Sequence, residues 1–309
     1  MTNQILGAVE LGLVYGLMVL GVYITFRILK IPDLTVDGSI TLGMAISAMV
    51  INTGQPWAPF AALLLAMLAG AAAGSVTAFF QTKLKIPPIL AGIMTMSALY
   101  SVNLLIMNNG TPNISILGSP TLFSMFQHSF GVSKHTAMIL VGLLICVVVV
   151  ALVEFFFTTH TGLCICATGD NEEMVRATSV STTKMKWLAL ALANACVAVS
   201  GAVYTQYMGY ADVTAGSGTI VIGFASVIIG ETLCIKRSLA VGFISAIVGS
   251  VAYRIIVAVA IKTNLFPTYF LKLVSVLIIA LALAVGPAKA ALAEYRNKTR
   301  RLKQHAGNS

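Results

Sequence analysis

Charge is what this chain has least of. Only 9% of its 309 residues are charged, with 10 acids against 19 bases, where a soluble domain carries roughly a quarter. No tract between its apolar runs is long enough to fold as a soluble domain, so no nucleotide-binding fold is expected in it. It has no P-loop, no Gly-x-Ser-x-Gly and no His-Glu-x-x-His. None of the histidines, His128, His135, His160 and His305, has a carboxylate or nucleophile at a suggestive spacing within a span. No catalytic residue is therefore expected, and the chain does not read as an enzyme. The 5 cysteines lie in or beside apolar runs. Cys164-x-Cys166 is too close for a usual zinc pair and has no second pair, so the thiols read as structural, with no metal or cofactor. A basic leader and a small-residue cleavage site are both missing near the N-terminus, so no cleaved signal peptide is expected.

What is present is apolar. Hydrophobic residues make up 58% of the chain and mean hydropathy is +0.93. Runs of about 20 apolar residues recur, each enough to cross a hydrocarbon core of roughly 30 Å. The expectation is an all-α polytopic membrane protein with about nine spans, near 4–26, 34–53, 57–80, 87–108, 135–157, 187–210, 218–235, 239–261 and 267–286. Pro87-Pro88 and Pro267 suit helix starts, where a missing N–H costs little. With the N-terminus outside, the inner segments collect Arg27, Lys30, Lys83, Lys85, Arg176, Lys184, Lys186, Lys236 and Arg237. The tail adds Lys289, Arg296, Lys298, Arg300, Arg301 and Lys303, and only Lys134 and Lys262 fall outside. The positive-inside rule thus predicts N-terminus out and C-terminus in. The net charge of +9 follows from this distribution and does not call for nucleic acid. Residues 1–309 read as one transmembrane domain embedded in lipid, with a cytoplasmic segment at 159–186 and a basic cytoplasmic tail at 287–309. The polar outer stretch 109–134 has room for a short helix across the outer mouth.

Residues 158–187 form the longest charged stretch before the tail. Asp170 and Asn171 are good N-caps, and Glu172 and Glu173 fall where carboxylates suit the helix dipole. Glu172 and Arg176 stand at i,i+4. Met174, Val175 and Ala177 give the turn an apolar side, as a handle for another subunit requires. An ordinary inter-helix loop with one solvated turn is the competing reading. Within the spans, Glu10, Arg254 and Lys272 are charges that lie near outer helix ends. They read either as snorkelling bases with Glu10 as their partner, or as an outer vestibule or docking rim. No carboxylate is expected near the centre of a span, which counts against an ion-coupled carrier. Asp33, Thr35, Asp37, Gly38 and Ser39 form a polar patch at the inner start of the second span. Asn103, Asn194, Gln206 and Tyr204 are uncharged polar groups expected to bond between helices. Of these, Asp33, Asp37, Asn103, Asn194 and Gln206 are the candidates for a translocation path.

A weak internal echo runs through the chain. Asp33-Leu-Thr-Val-Asp-Gly-Ser resembles Asp212-Val-Thr-Ala-Gly-Ser-Gly, and Gly74-Ser75-Val76 resembles Gly249-Ser250-Val251. The first copy starts inside and the second outside, as in the inverted repeats of transporters. Small pairs such as Gly12 and Gly16, or Gly70 and Gly74, permit close helix packing.

The ordered set IPDLTVDGSITLG, IPPILAGIMTMSALYSVNLLIMNNGTPN, GDNEEMVRATSVSTTKMKWLALALANACVAVSGAVYTQY and GSGTIVIGFASVIIGE resembles the branched-chain amino acid/ribose-type permeases of ABC importers. The likeness runs from about residue 5 to 287. Phe26-Arg27-Ile28-Leu29 before Pro-Asp-Leu-Thr-Val-Asp-Gly-Ser is similar to the subgroup paired with lipoprotein-type binding proteins, some assigned to aromatic amino acids. The resemblance implies a ten-helix, type II-like importer permease with two inverted halves. It implies a cytoplasmic ATP-binding subunit docked on a coupling helix carrying Asn171, Glu172, Glu173, Met174, Val175, Arg176, Ala177 and Thr178. It also implies a second permease subunit, here expected to be a copy, and an extracytoplasmic substrate-binding lipoprotein. The chain departs from the ribose permeases in lacking their extra N-terminal span. Where sugar permeases often carry Gly-Gly it has Gly230-Glu231, which tells against a sugar. The expectation is the permease subunit of an ATP-driven importer in the cytoplasmic membrane, moving a small polar solute such as an aromatic or branched-chain amino acid. The alternative is a stand-alone carrier or channel.

Overall fold

A computed structural model describes residues 2–107, 110–234, 238–262 and 276. Contacts divide the chain into two units, Met1–Ala258 and Val259–Ser309. Apart from Val276, the expected ninth span lies outside the described residues, and so do Lys272, Lys236, Arg237 and the basic tail.

The first unit is helical. Long helices are α1 (Thr2–Tyr23, prolonged by a π-turn at Ile24–Ile28), α3 (Ala58–Thr82), α4 (Pro88–Ile106), α6 (Lys134–Thr158), α9 (Thr182–Met208) and α11 (Leu239–Lys262). Among the described residues, six helices are long and apolar enough to cross a membrane. Two more apolar helices are short: α2 (Val36–Ile51) and α10 (Thr219–Leu233). At 1.5 Å per residue, α2 and α10 reach only about 22–24 Å, well under a bilayer core. This corrects the expectation of a full span at each. The remaining elements are α5 (Leu122–Phe130), α7 (His160–Asp170), α8 (Glu172–Ala177) and a two-stranded ribbon. In the ribbon, β1 (Asn113–Ser115) runs antiparallel to β2 (Tyr210–Asp212). The helix expected in the outer stretch is α5, with Thr121 and Ser124 forming a reciprocal cap at its start.

α9 is the axis on which α1, α2 and α3 lean. Its sequence explains why: Ala189, Ala193, Ala198, Gly201 and Ala202 are fully or almost fully buried. On the crossing with α2, a methyl added at Gly201 would collide with the Ile40 carbonyl, and one at Gly43 with the Ala198 carbonyl. Backbone meets backbone there, which only glycine permits. Hydroxyls fasten the same contacts. Ser47 donates to the Ala202 carbonyl and Ser200 to that of Val14, and on another crossing Ser250 of α11 donates to the Gly12 carbonyl of α1.

Two ends can be told apart. At one, Arg27 pairs with Glu231 at 2.8 Å, Lys30 with Asp170 at 2.8 Å, and Trp187 Nε1 donates to Thr82 Oγ1. These contacts gather the ends of α1, α10, α7, α3 and α9 with the basic residues flanking them. At the other lie the ribbon, α5 and the starts of α1, α3 and α6.

Candidate functional site

The short helices position the site. After the π-turn the chain does not begin α2 at the basic end. Residues 29–35 turn back into the bundle, and Asp33 comes to rest beside Asn194, near the middle of α9. Asn194 Nδ2 donates to Asp33 Oδ2 at 2.7 Å, and Ser39 donates to Asn194 Oδ1 at 2.7 Å. Asp33 Oδ1 accepts the Thr35 N–H at 2.9 Å, and Thr35, Thr77 and Thr95 continue as a chain of hydroxyls into α3 and α4. Two expectations fail here: that the polar patch marks the inner start of a span, and that no carboxylate lies near a span centre. The segment re-enters the bundle, and a buried Asp33 sits at mid-depth with its carboxylate held by neutral donors.

The other half does the same from the opposite side. β2 leads residues 213–218 down beside α2, where a methyl on Gly216 would strike Thr41 Oγ1 and the Asp37 carbonyl. Gly218, at φ +83°, then turns the chain into α10. The two starts meet at Asp37. Its carboxylate accepts the Gly218 N–H at 2.7 Å, the Ile220 N–H at 2.8 Å and the Thr219 hydroxyl at 3.0 Å. Asp37, in the first turn of α2, thus caps α10, where a carboxylate satisfies orphan donors and suits the dipole. Asp33-x-Thr35 and Asp212-x-Thr214 also fold alike: each aspartate accepts its threonine's backbone N–H, at 2.9 and 2.6 Å.

Beside this junction is a cavity of about 380 Å³ lined by Asp37, Gly38, Thr41, Met96, Ser97, Tyr100, Asn103, Val213, Thr214 and Ser217. Ser97 is the midpoint of α4 and, with Thr214 and Ser217, is exposed. Of the residues expected to line a path, Asp37 and Asn103 line this cavity. Asp33 and Asn194 lie behind it in the buried network. Gln206 is elsewhere, buried near the ribbon end, accepting the Leu122 N–H at 3.0 Å and donating to the Pro59 carbonyl at 3.1 Å. Sequence reasoning missed Ser97, Tyr100, Thr214 and Ser217; the second aspartate motif at 212 was the signal that could have found the last two.

The outer charges are arranged differently from expectation. Glu10 is buried, and its partners are His135 Nδ1 at 2.8 Å and the Tyr207 hydroxyl, which donates at 3.0 Å. Arg254 lies instead over the Tyr15 ring, 4.0 Å from its centroid, a cation–π contact. Tyr15 meets Tyr204 edge-on at 5.4 Å.

The charged segment is a corner of two helices. α8 has six residues, capped by Asn171, whose side-chain oxygen accepts the Met174 N–H at 3.0 Å. Glu172 joins it to α9: it accepts from Lys186 Nζ at 2.6 Å, Thr182 Oγ1 at 3.2 Å and Arg176 at 3.2 Å. The Lys186 hydrogen bond, against some burial, holds the Glu172 carboxyl below the usual carboxylate range. Glu173, Arg176, Ala177 and Thr178 are exposed on the turn. Val175 is 4% exposed and Met174 57%. The expectation that both anchor another subunit holds open only for Met174. Val175 is buried within its own chain, on a short helix that packs against α7 and α9.

Half-length helices opposed start to start beside a mid-depth cavity edged by Asp37, Asn103 and the hydroxyls of Ser97, Thr214 and Ser217, within a bundle of apolar spans, define a transport protein of the cytoplasmic membrane. The chain belongs to the family described as the permease component of branched-chain amino acid transport systems, whose profile matches residues 4–284; it is a permease component of ABC-type importers, and amino acid transport is among its relatives' roles. It is 36% identical over 285 residues to a tyrosine transport system permease protein of Clostridioides difficile, covering 92% of each chain. An uncharacterized protein of Rickettsia prowazekii is 35% identical over 235 residues, 76% of this chain and 79% of that one. The ribose import permease protein RbsC of Escherichia coli is 25% identical over 202 residues, 65% and 60% respectively. No solved structure matches the chain.

Proposed function

We propose that this chain is the membrane subunit of an ATP-driven importer of a small amino acid-like solute, aromatic or branched-chain, with hydrolysis carried by a separate cytoplasmic ATPase. The observation that carries the proposal is the junction at Asp37, where the two half-helices meet beside a cavity with polar groups on its wall. Exposed Ser97, Thr214 and Ser217 at mid-depth fit a water-lined path better than acyl chains, since polar backbone and side chains face protein or water inside a membrane. The relative's name, a tyrosine transport permease, favours an amino acid. The ribose relative is more distant, and Gly230-Glu231 departs from the sugar pattern.

In this reading the basic end is cytoplasmic and the ribbon end faces outward. A second permease subunit, a copy of this chain, covers the cavity from the other side, and an extracytoplasmic lipoprotein delivers solute. α8 is the docking turn for the ATPase, with Met174 and the exposed charges as its contact face. Exposed His135, which pairs with buried Glu10, belongs to the outer face on which the binding protein would rest. ATP binding and hydrolysis shift the balance between inward- and outward-facing states.

Buried Asp33 is the one observation favouring an ion-coupled carrier instead. Both readings meet one test. Proteoliposomes holding this chain with the ATPase and binding protein from neighbouring reading frames should take up labelled L-tyrosine or L-leucine only with internal ATP, and the chain alone should hydrolyse none. Uptake by the chain alone, driven by a proton or sodium gradient, would overturn the importer reading.

A further inference from the structure

We propose that the cavity beside Asp37 recognises a primary ammonium group, so that the transported solute passes the junction amino-end first. The proposal rests on the import reading for its solute; the preference for an ammonium rests on the cavity alone.

Two residues of its wall, Asn103 and Asp37, carry acceptors with unused capacity. Asn103 is 1% exposed and lines the cavity. Its Nδ2 donates to the Gly38 carbonyl at 3.3 Å, which fixes the amide's orientation. Oδ1 is then left buried with no hydrogen-bond partner. A buried acceptor without a donor is costly, and such groups in folded proteins ask for an explanation. Asp37, which directly precedes Gly38 in the chain, supplies the second acceptor. Its carboxylate offers about four lone-pair directions. Gly218, Thr219 and Ile220 take three, which leaves one for a further donor.

The cavity's charge has one sign. Among the described residues, no lysine, arginine or histidine lines it, and the start of α10 balances Asp37 only in part. A solute carboxylate would meet Asp37 as a like charge. An ammonium supplies what both acceptors lack: positive charge for Asp37 and an N–H for Asn103. A quaternary ammonium supplies only the first. Met96, Tyr100 and Val213 form an apolar wall for the rest of the solute, and about 380 Å³ is within the range of small-molecule sites.

The test uses a full-length chain whose five cysteines are replaced by alanine and whose Ser97, on the cavity wall, is changed to cysteine. Reaction rates in detergent are measured with aminoethyl, trimethylammonioethyl and sulfonatoethyl methanethiosulfonates. The aminoethyl reagent should react fastest, by about tenfold over the trimethylated one, as expected for a hydrogen bond to a charged donor. Asn103→Leu keeps every charge and should abolish that difference between the two cations. Asp37→Asn should abolish the preference for cations over the sulfonate. Monodisperse elution of each variant excludes misfolding, and Asn103→Asp, which restores an acceptor, should recover the aminoethyl preference. Equal rates for the two cations in the parent, or a difference unchanged by Asn103→Leu, would overturn the proposal. Protection of Ser97→Cys by L-tyrosine and tyramine, and not by 3-(4-hydroxyphenyl)propionate, would extend it to the solute. An aminoethyl preference without protection by any amino acid would uphold the ammonium site and sink the amino acid reading.

Discussion

Glu172 is the residue that ties α8 to α9. It receives Lys186, Thr182 and Arg176 at once, and Lys186 lies beside Trp187. Because the folded carboxyl titrates below its ordinary value of 4.5, its contribution is complete above that value. It is lost as pH falls through the lower folded one. In a Trp57→Phe chain, the fluorescence of Trp187 should therefore hold steady from neutral pH down to about 5 and change only in stronger acid. Glu172→Gln should flatten that acid step; an unchanged step would assign it to another group. The capping role of Asn171 and the Glu172–Arg176 spacing could be read from sequence, because both are local. The Lys186 contact spans a turn that the sequence does not fix. Glu10 and His135 stand 125 residues apart, and nothing in either's neighbourhood announces the other.

At the scale of elements, hydropathy located each long apolar helix among the described residues but not the depth at which the two short ones begin. An apolar run of 16 residues led by Pro-Asp looks like a span with a polar entry. Only the buried contact of Asp33 with Asn194 shows that the entry itself lies inside. The aspartate echo at 33 and 212 carried that information, since each copy makes the same turn before a short helix. Two consequences can be measured. In the import reading, Met174→Asp should leave the chain monodisperse yet weaken retention of the ATPase, since Met174 is exposed and losing a buried interface anchor often costs more than about 1 kcal/mol. Val175→Asp should instead lower thermal stability, because it places a charge where a side chain is buried within its own chain. Equal behaviour of the two variants would contradict the division of faces on α8. Gly201→Leu should be worse than either for folding. It drives a side chain into the Ile40 carbonyl on α2, where overpacking typically costs about 1–3 kcal/mol and more when backbones must part. A melting temperature in detergent within a degree or so of wild type would show that α2 and α9 do not cross as described.

For the whole molecule, the placement of charge and the placement of the cavity belong together. Among the described residues, most of the basic side chains collect at the end where α7 and α8 turn, the ribbon and α5 mark the other, and the half-helices meet between. In the import reading that arrangement sets the direction of travel: solute enters past Tyr210 and the ribbon, meets Asp37 and Asn103, and leaves towards Arg27 and Lys30. Impermeant thiol reagents should accordingly reach Ser119→Cys only from outside intact cells and Ser238→Cys only from within. That the solute's route runs through the cavity beside Asp37 is tested most directly by uptake into proteoliposomes containing the whole importer, with Ser97→Cys as the sole thiol in this chain, before and after reaction with a bulky maleimide. Leu144→Cys, on an exposed apolar face, is the control. Labelling Ser97→Cys should stop ATP-dependent uptake while the ATPase stays bound, and labelling Leu144→Cys should leave uptake unchanged. Undiminished uptake with Ser97→Cys fully labelled would contradict a route through this cavity.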